Sequence, residues 1–242
     1  MKSKLCRYLI IQVLWISFTA FVTAQIPSNV YQYEEKSELG NLIHEIKIDK
    51  DYFVHSVYKK SPAEFIKTVG GFYTLSNNAL KVDLEFNSDY KEDSTTSLNI
   101  PYQMEDGQLI LDKGQPMLFK SVGTGPQDLD GKWLFSGRET DKGEERRDTS
   151  KPRKTMKFLL NGHFQWIAYN TESFDFMGTG GGTFEANDGK YTENIAYFSK
   201  DNSRVGASLS FNYEISGKDW HHSGKSSKGA PLNEIWTKRE DR

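Results

Sequence analysis

The chain has one cysteine, Cys6, in 242 residues. Cys6 precedes the first long apolar run, so everything after that run is free of thiols. That excludes disulfides, thiolate nucleophiles and cysteine-ligated metals, and leaves stability to packing. A cysteine before the run is also misplaced for acylation of the usual lipoprotein kind. Charge of one sign is lacking as well. Thirty-one Lys and Arg face 33 Asp and Glu, a formal charge of -2, too balanced to select nucleic acid or an anionic membrane surface as a partner. No 3.6-period stretch exceeds two turns, and no Ser-His-Asp order or nucleophile elbow is present. No catalytic residue and no cofactor is therefore predicted.

What is present begins with a leader. Lys2, Lys4 and Arg7 form a basic start, Tyr8 to Phe21 an apolar run, and Val22-Thr23-Ala24 a small-residue cleavage site before Gln25. This layout predicts a signal peptide over residues 1–24 and an exported chain, periplasmic or extracellular. The run is short for a membrane span, so no transmembrane segment is expected in the mature chain.

From Glu45 onward, short runs of alternating apolar and polar residues are separated by turn signals, which predicts an all-β fold. Asn161-Gly162, Asn187-Asp188-Gly189 and Gly217-Lys218 are expected to turn hairpins. The pattern repeats. Residues 163–221 lie without gaps on residues 52–110, at an offset of 111. Phe53 meets Phe164, Tyr58 meets Tyr169, Phe65 meets Phe176, Thr68 meets Thr179, and Gly70-Gly71 meet Gly181-Gly182. The apolar phase is kept across the alignment, although a slip of one residue would exchange core and solvent faces. Two tandem antiparallel β modules related by duplication follow, residues 26–123 and 129–242, joined through Ser121-Val122-Gly123-Thr124-Gly125-Pro126. The second reads as eight strands near 132–138, 154–160, 163–170, 180–186, 190–198, 204–215, 218–224 and 233–239, an up-and-down barrel. The first has a weaker first strand, around Val30 to Tyr33, and is expected to be a less regular copy.

The second module opens on Gly131-Lys132-Trp133 and ends on Glu234-Ile235-Trp236-Thr237-Lys238-Arg239, with Met156-Lys157-Phe158 and Gly181-Gly182-Thr183-Phe184 between. In these motifs it resembles the lipocalin-like secreted proteins of Bacteroidota over residues 129–242. The resemblance implies a barrel with a lumen and a basic residue, here Arg239, closing the base across Trp133 and Trp236. It brings no known reaction or ligand.

Candidate site residues come from positions where the second copy departs from the first on the inward face: Trp166 for His55, Glu193 for Val82 and His222 for Leu111. By alternation Glu193 shares its face with Tyr191, Ile195 and Tyr197, and His222 shares one with Trp220. Trp166, Tyr191, Glu193, Tyr197, Tyr213, Trp220 and His222 would together give aromatic walls with a few convergent polar groups, as ligand pockets require. A dry interior cannot hold an unpaired carboxylate, so Glu193 implies a wet lumen, a buried partner, or a strand end meeting solvent or Arg204. His221 and His222 point to opposite faces and cannot share an ion; no metal site is predicted. His163 is expected to be exposed after its turn. Gly178 to Gly182 is expected to be a flexible loop feeding a bent strand, since no helix follows to make it a phosphate loop. Arg138 to Lys154 is expected to be a solvated loop. Three functions fit: a carrier of a small, partly apolar ligand; an envelope protein with filled barrels that binds a partner chain through its loops; or a lumenal enzyme using Glu193 and His222.

Overall fold

The computed structural model describes residues 25–242 except 37, 39, 77, 227 and 228; the predicted signal peptide lies outside the described residues. Eight strands, β1 (Asn29–Glu35), β2 (Leu42–Ile48), β3 (Tyr52–Lys60), β4 (Ala63–Ser76), β5 (Ala79–Asn87), β6 (Ser97–Glu105), β7 (Gln108–Asp112) and β8 (Pro116–Ser121), follow one another round a closed barrel. A single turn of helix, α1 (Tyr90–Asp93), connects β5 to β6. The barrel closes where Tyr31 and Gln32 pair with Ser121 and Lys120. The first module is thus as regular as the second.

The second barrel contains β9 (Gly131–Thr140), β10 (Gly143–Arg146), β11 (Arg153–Leu160), β12 (His163–Asn170), β13 (Phe176–Asn187), β14 (Lys190–Phe198), β15 (Ser208–Ser216), β16 (Asp219–Lys225) and β17 (Pro231–Lys238). It closes through β17 on β9, with β10 folded back on the end of β9 as a hairpin arm. The stretch expected to be a solvated loop is therefore partly this hairpin. Strand-to-strand turns follow their residues: Asn161 and Gly162 both take positive φ, as do Asp188 and Gly189, the conformation that matches strand twist in a two-residue hairpin.

Duplication is visible in the irregularities as well as in the strands. The register shifts between Val57 and Tyr58 in the first barrel and between Ala168 and Tyr169 in the second, and again at Gly70/Gly71 and Gly181/Gly182. Each pair is 111 residues apart. At the second shift one residue of the neighbouring strand, Glu85 or Ala196, is left unpaired, so alternation reverses beyond it. A Cβ on Gly71 or Gly182 would strike the carbonyl oxygen of Asp83 or Asn194. The glycine run is thus buried strand, not loop, and glycine is required there by the close approach of backbone to backbone.

The two barrels are separate sheets packed side by side about a pseudo-twofold axis. Phe65 stacks on its own repeat mate Phe176, with centroids 6.0 Å apart. Tyr58 packs on Tyr197 and, in the mirrored pair, Tyr169 packs on Phe86, at 4.6 and 5.0 Å. Chemistry breaks this symmetry. One half of the interface is apolar and includes Val30, Val54, Phe86, Met156, Phe158, Leu160 and Ile167. The repeat-equivalent half places Lys132, Gln165, Tyr197, Glu45, Lys47, Asp49 and Ser56 at those positions; Lys132 answers Val30 because their pairing partners, Phe158 and Lys47, are 111 residues apart. Its charged groups are paired: Glu45 accepts from Lys47 and from Gln32 (2.7 Å) and lies 3.0 Å from His163 Nδ1, while Lys132 Nζ donates to Asp49 (2.7 Å), Asp51 (2.5 Å) and Asp241 (3.1 Å). His163 is buried here, contrary to its expected exposure, because its hairpin faces the other barrel.

Arg239 also serves this interface and does not cap Trp133. Its guanidinium makes two 2.7 Å bonds to Glu85 and lies over Phe72, whereas Lys238 Nζ sits 5.3 Å from the Trp133 ring. Burial acts to raise the pKa values of Glu45 and Glu85. Lys47 and His163 outweigh it at Glu45, as Arg239 and two tyrosine hydroxyls do at Glu85, so both carboxyls titrate below the ordinary value of 4.5. The unfolded chain therefore takes up protons first as acid is added. The stability these groups supply is complete above pH 4.5 and is lost as pH falls through their lower folded values. Glu45→Gln and Glu85→Gln are each expected to flatten the acid limb of stability against pH, as followed by urea unfolding between neutral and acid buffers.

Candidate functional site

Each barrel is plugged at the end carrying the short hairpins. In the second, Trp133 donates from Nε1 to the Leu129 carbonyl (2.8 Å) and meets Trp220 edge-on. In the first, Tyr31 donates to the Pro27 carbonyl (2.9 Å), the same four-residue reach. The other end of the second barrel is open to a cavity of about 270 Å³. Trp166, Phe198, Phe211 and Trp236 give its aromatic walls, Ile195, Leu209 and Leu232 its aliphatic ones, and Arg204 stands among the residues lining it.

The polar groups lie deep. Glu193, 6% exposed, accepts from Lys157 Nζ (2.7 Å) and the Tyr191 hydroxyl (2.8 Å) on one carboxylate oxygen. Lys157 Nζ lies 5.0 Å from the ring centres of Tyr191 and Trp220, 5.2 Å from Trp236 and 6.0 Å from Phe211. Ring faces and a carboxylate together hold the ammonium of Lys157, which is only 6% exposed. In the first barrel the corresponding residues are Ile46 and Val82, both buried in its core.

His222 is 2% exposed and lines the same cavity, packed against Phe211 at 4.4 Å. Among the described residues neither of its ring nitrogens has a hydrogen-bond partner; Glu234 approaches Nδ1 only to 3.5 Å. Burial, helped by Lys157, lowers its pKa against the pull of Glu234 and Glu193, so the ring is neutral near pH 7. Burial would raise the Glu234 carboxyl, but His222, Lys157 and the Trp236 N–H hold it down and it stays ionised.

Three predicted site residues, Trp166, Glu193 and His222, thus line one cavity. Tyr191 and Trp220 lie behind that lining, holding Glu193 and Lys157. Tyr197 does not face inward: the unpaired Ala196 reverses alternation, and its ring lies against Tyr58 of the other barrel. Tyr213 is at the plugged end, where its hydroxyl donates to Asp128 (2.6 Å). Sequence reasoning missed Lys157 and Glu234. Carrying the repeat alignment a few residues upstream would have set Lys157 against Ile46, the same kind of departure that singled out Glu193. His221 points to the other face, 2.6 Å from Glu139, as alternation requires. Compared with known proteins, the chain matches no protein-family model and no curated sequence.

Proposed function

We propose that this is an exported, lipocalin-like binding protein that holds one small, largely apolar ligand in the second barrel. The observation that carries the reading is His222, a buried imidazole on the wall of an aromatic cavity, with neither ring nitrogen hydrogen-bonded among the described residues and only Glu234, 3.5 Å from Nδ1, beside it. Buried polar groups in native proteins are almost always satisfied, and a ligand end supplies what the protein leaves out. The ionised Glu234 beside it accepts but cannot donate, so the bound end carries a hydrogen-bond donor such as a hydroxyl or an N–H. The body of the ligand lies between Trp166, Phe198 and Trp236. Glu193 holds Lys157 in place, and with one oxygen already accepting twice it acts as a structural anion in this reading, not as a free base.

Native mass spectrometry of the protein secreted by its own host, compared with the same sample denatured, tests this. The denatured mass is expected to begin at Gln25 and the native mass to exceed it by one reproducible small molecule. His222→Ala and Trp166→Ala are each expected to weaken binding of that molecule by about tenfold or more, the effect of losing roughly 1.4 kcal/mol of contact. A native mass equal to the denatured one would favour the filled-barrel, partner-binding reading instead.

A further inference from the structure

The first barrel has a smaller cavity, about 140 Å³, at the same end and on the same strands. His55, Asn87, Asp93 and Leu98 line it where Trp166, Phe198, Arg204 and Leu209 line the larger one. Its chemistry is reversed, with polar groups where the second barrel has aromatic rings. Lys67 and Lys113 border it and, among the described residues, neither has a carboxylate partner. Asp89 and Asp93 also border it; each is held by local hydrogen bonds, and neither is among the charges that act on His55. Asp93 accepts from Asn87 (2.8 Å) and the Thr95 amide (2.8 Å), and Asp89 accepts from Ser88 (2.9 Å).

A relay of side chains leads into this cavity. Glu35 lies 2.9 Å from His44 Nε2, and His44 Nδ1 lies 3.1 Å from His55 Nε2. Glu35 can only accept, so His44 carries its proton on Nε2. Its Nδ1 must then accept, so His55 carries its proton on Nε2. That leaves His55 Nδ1 as a bare acceptor on a side chain only 5% exposed, with no partner among the described residues. Burial, Lys113, His44 and Lys67 act in the same direction to keep His55 unprotonated, and no carboxylate opposes them. The groups around it are Tyr33 and Glu35 from β1, His44 from β2, Lys67 from β4, Asp89 and Asp93 from the β5–β6 connection and Lys113 from the β7–β8 turn.

We infer that the first barrel binds a small oxyanion, a carboxylate or a phosphate, between Lys67 and Lys113, with a proton shared between the anion and His55 Nδ1. The anion neutralises the two lysines and favours the His55 imidazolium, so binding strengthens as pH falls. This site is independent of the ligand cavity in the second barrel.

The test is NMR of the ¹⁵N-labelled histidine rings in the full exported chain. It is titrated near pH 6, where histidine charge is most responsive, at constant ionic strength with sodium acetate and separately with inorganic phosphate. A saturable shift of His55 Nδ1 toward its protonated position is expected with at least one anion. Saturation by acetate alone identifies a carboxylate site; saturation by phosphate identifies a phosphate-type site. Lys67→Gln/Lys113→Gln, both at exposed positions, is expected to weaken binding by about tenfold or more, while His222→Ala leaves it unchanged. No saturable shift with either anion, or an undiminished one in the double lysine variant, would overturn the inference.

Discussion

Replacing Lys157 with methionine is expected to destabilise the second barrel by about 3–5 kcal/mol, and Glu193→Val by a similar amount, because each leaves its partner charged and buried. Changing both together, Lys157→Ile with Glu193→Val, is expected to return stability to within about 1 kcal/mol of the parent or above it. That double change installs the two residues the first barrel already uses at these positions, Ile46 and Val82. The measurement is unusually selective. Of the five tryptophans, Trp15 lies in the predicted leader and the other four lie in the second barrel, so tryptophan fluorescence in urea follows that barrel alone. Single variants that lose less than about 1 kcal/mol would show that the pair is hydrated instead of dry. The stable double variant also separates fold from function: with its charges gone and its barrel intact, any loss of ligand belongs to the cavity.

Arg239→Ala is expected to cost about 3–5 kcal/mol and to uncouple the barrels, for the same reason that a buried pair cannot lose one member cheaply. Glu85 receives two guanidinium bonds and two tyrosine hydroxyls, from Tyr52 (2.7 Å) and Tyr169 (3.0 Å). Without Arg239, no basic group among the described residues is left in ion-pair contact with this carboxylate on the apolar half of the interface. Arg239→Lys is expected to recover only part of the loss, since an ammonium cannot make the paired, planar contact. In the parent, fluorescence and far-ultraviolet dichroism should trace one unfolding transition. In Arg239→Ala the dichroism should split, with fluorescence following only the second barrel's share. A single coincident transition at unchanged urea concentration would mean that the interface does not hold the barrels together.

The repeat carried much of this into the sequence. Phe65 and Phe176, Gly71 and Gly182, and Tyr58 and Tyr169 are equivalent in the chain and equivalent in space. The hairpins at Asn161-Gly162 and Asp188-Gly189 form as their residues dictate, since Gly and Asx residues populate positive φ cheaply. Trp166, Glu193 and His222 were legible as departures between copies and share one cavity. Tyr197 and His163 depart from the alternation reading for two separate reasons. Alternation tells which residues share a face only until a bulge intervenes, and it never tells whether an outer face meets water or another barrel.

Export apart, the order of strands, the turns between them and the duplication were thus determined by local sequence, because period, phase and turn chemistry act over a few residues. Which face of each strand became interface, which lysine met Glu193 and which basic residue covered Trp133 were decided only by the tertiary structure. Those partners lie tens of residues apart or in the other barrel, where register shifts and the packing of one closed sheet against another set the distances.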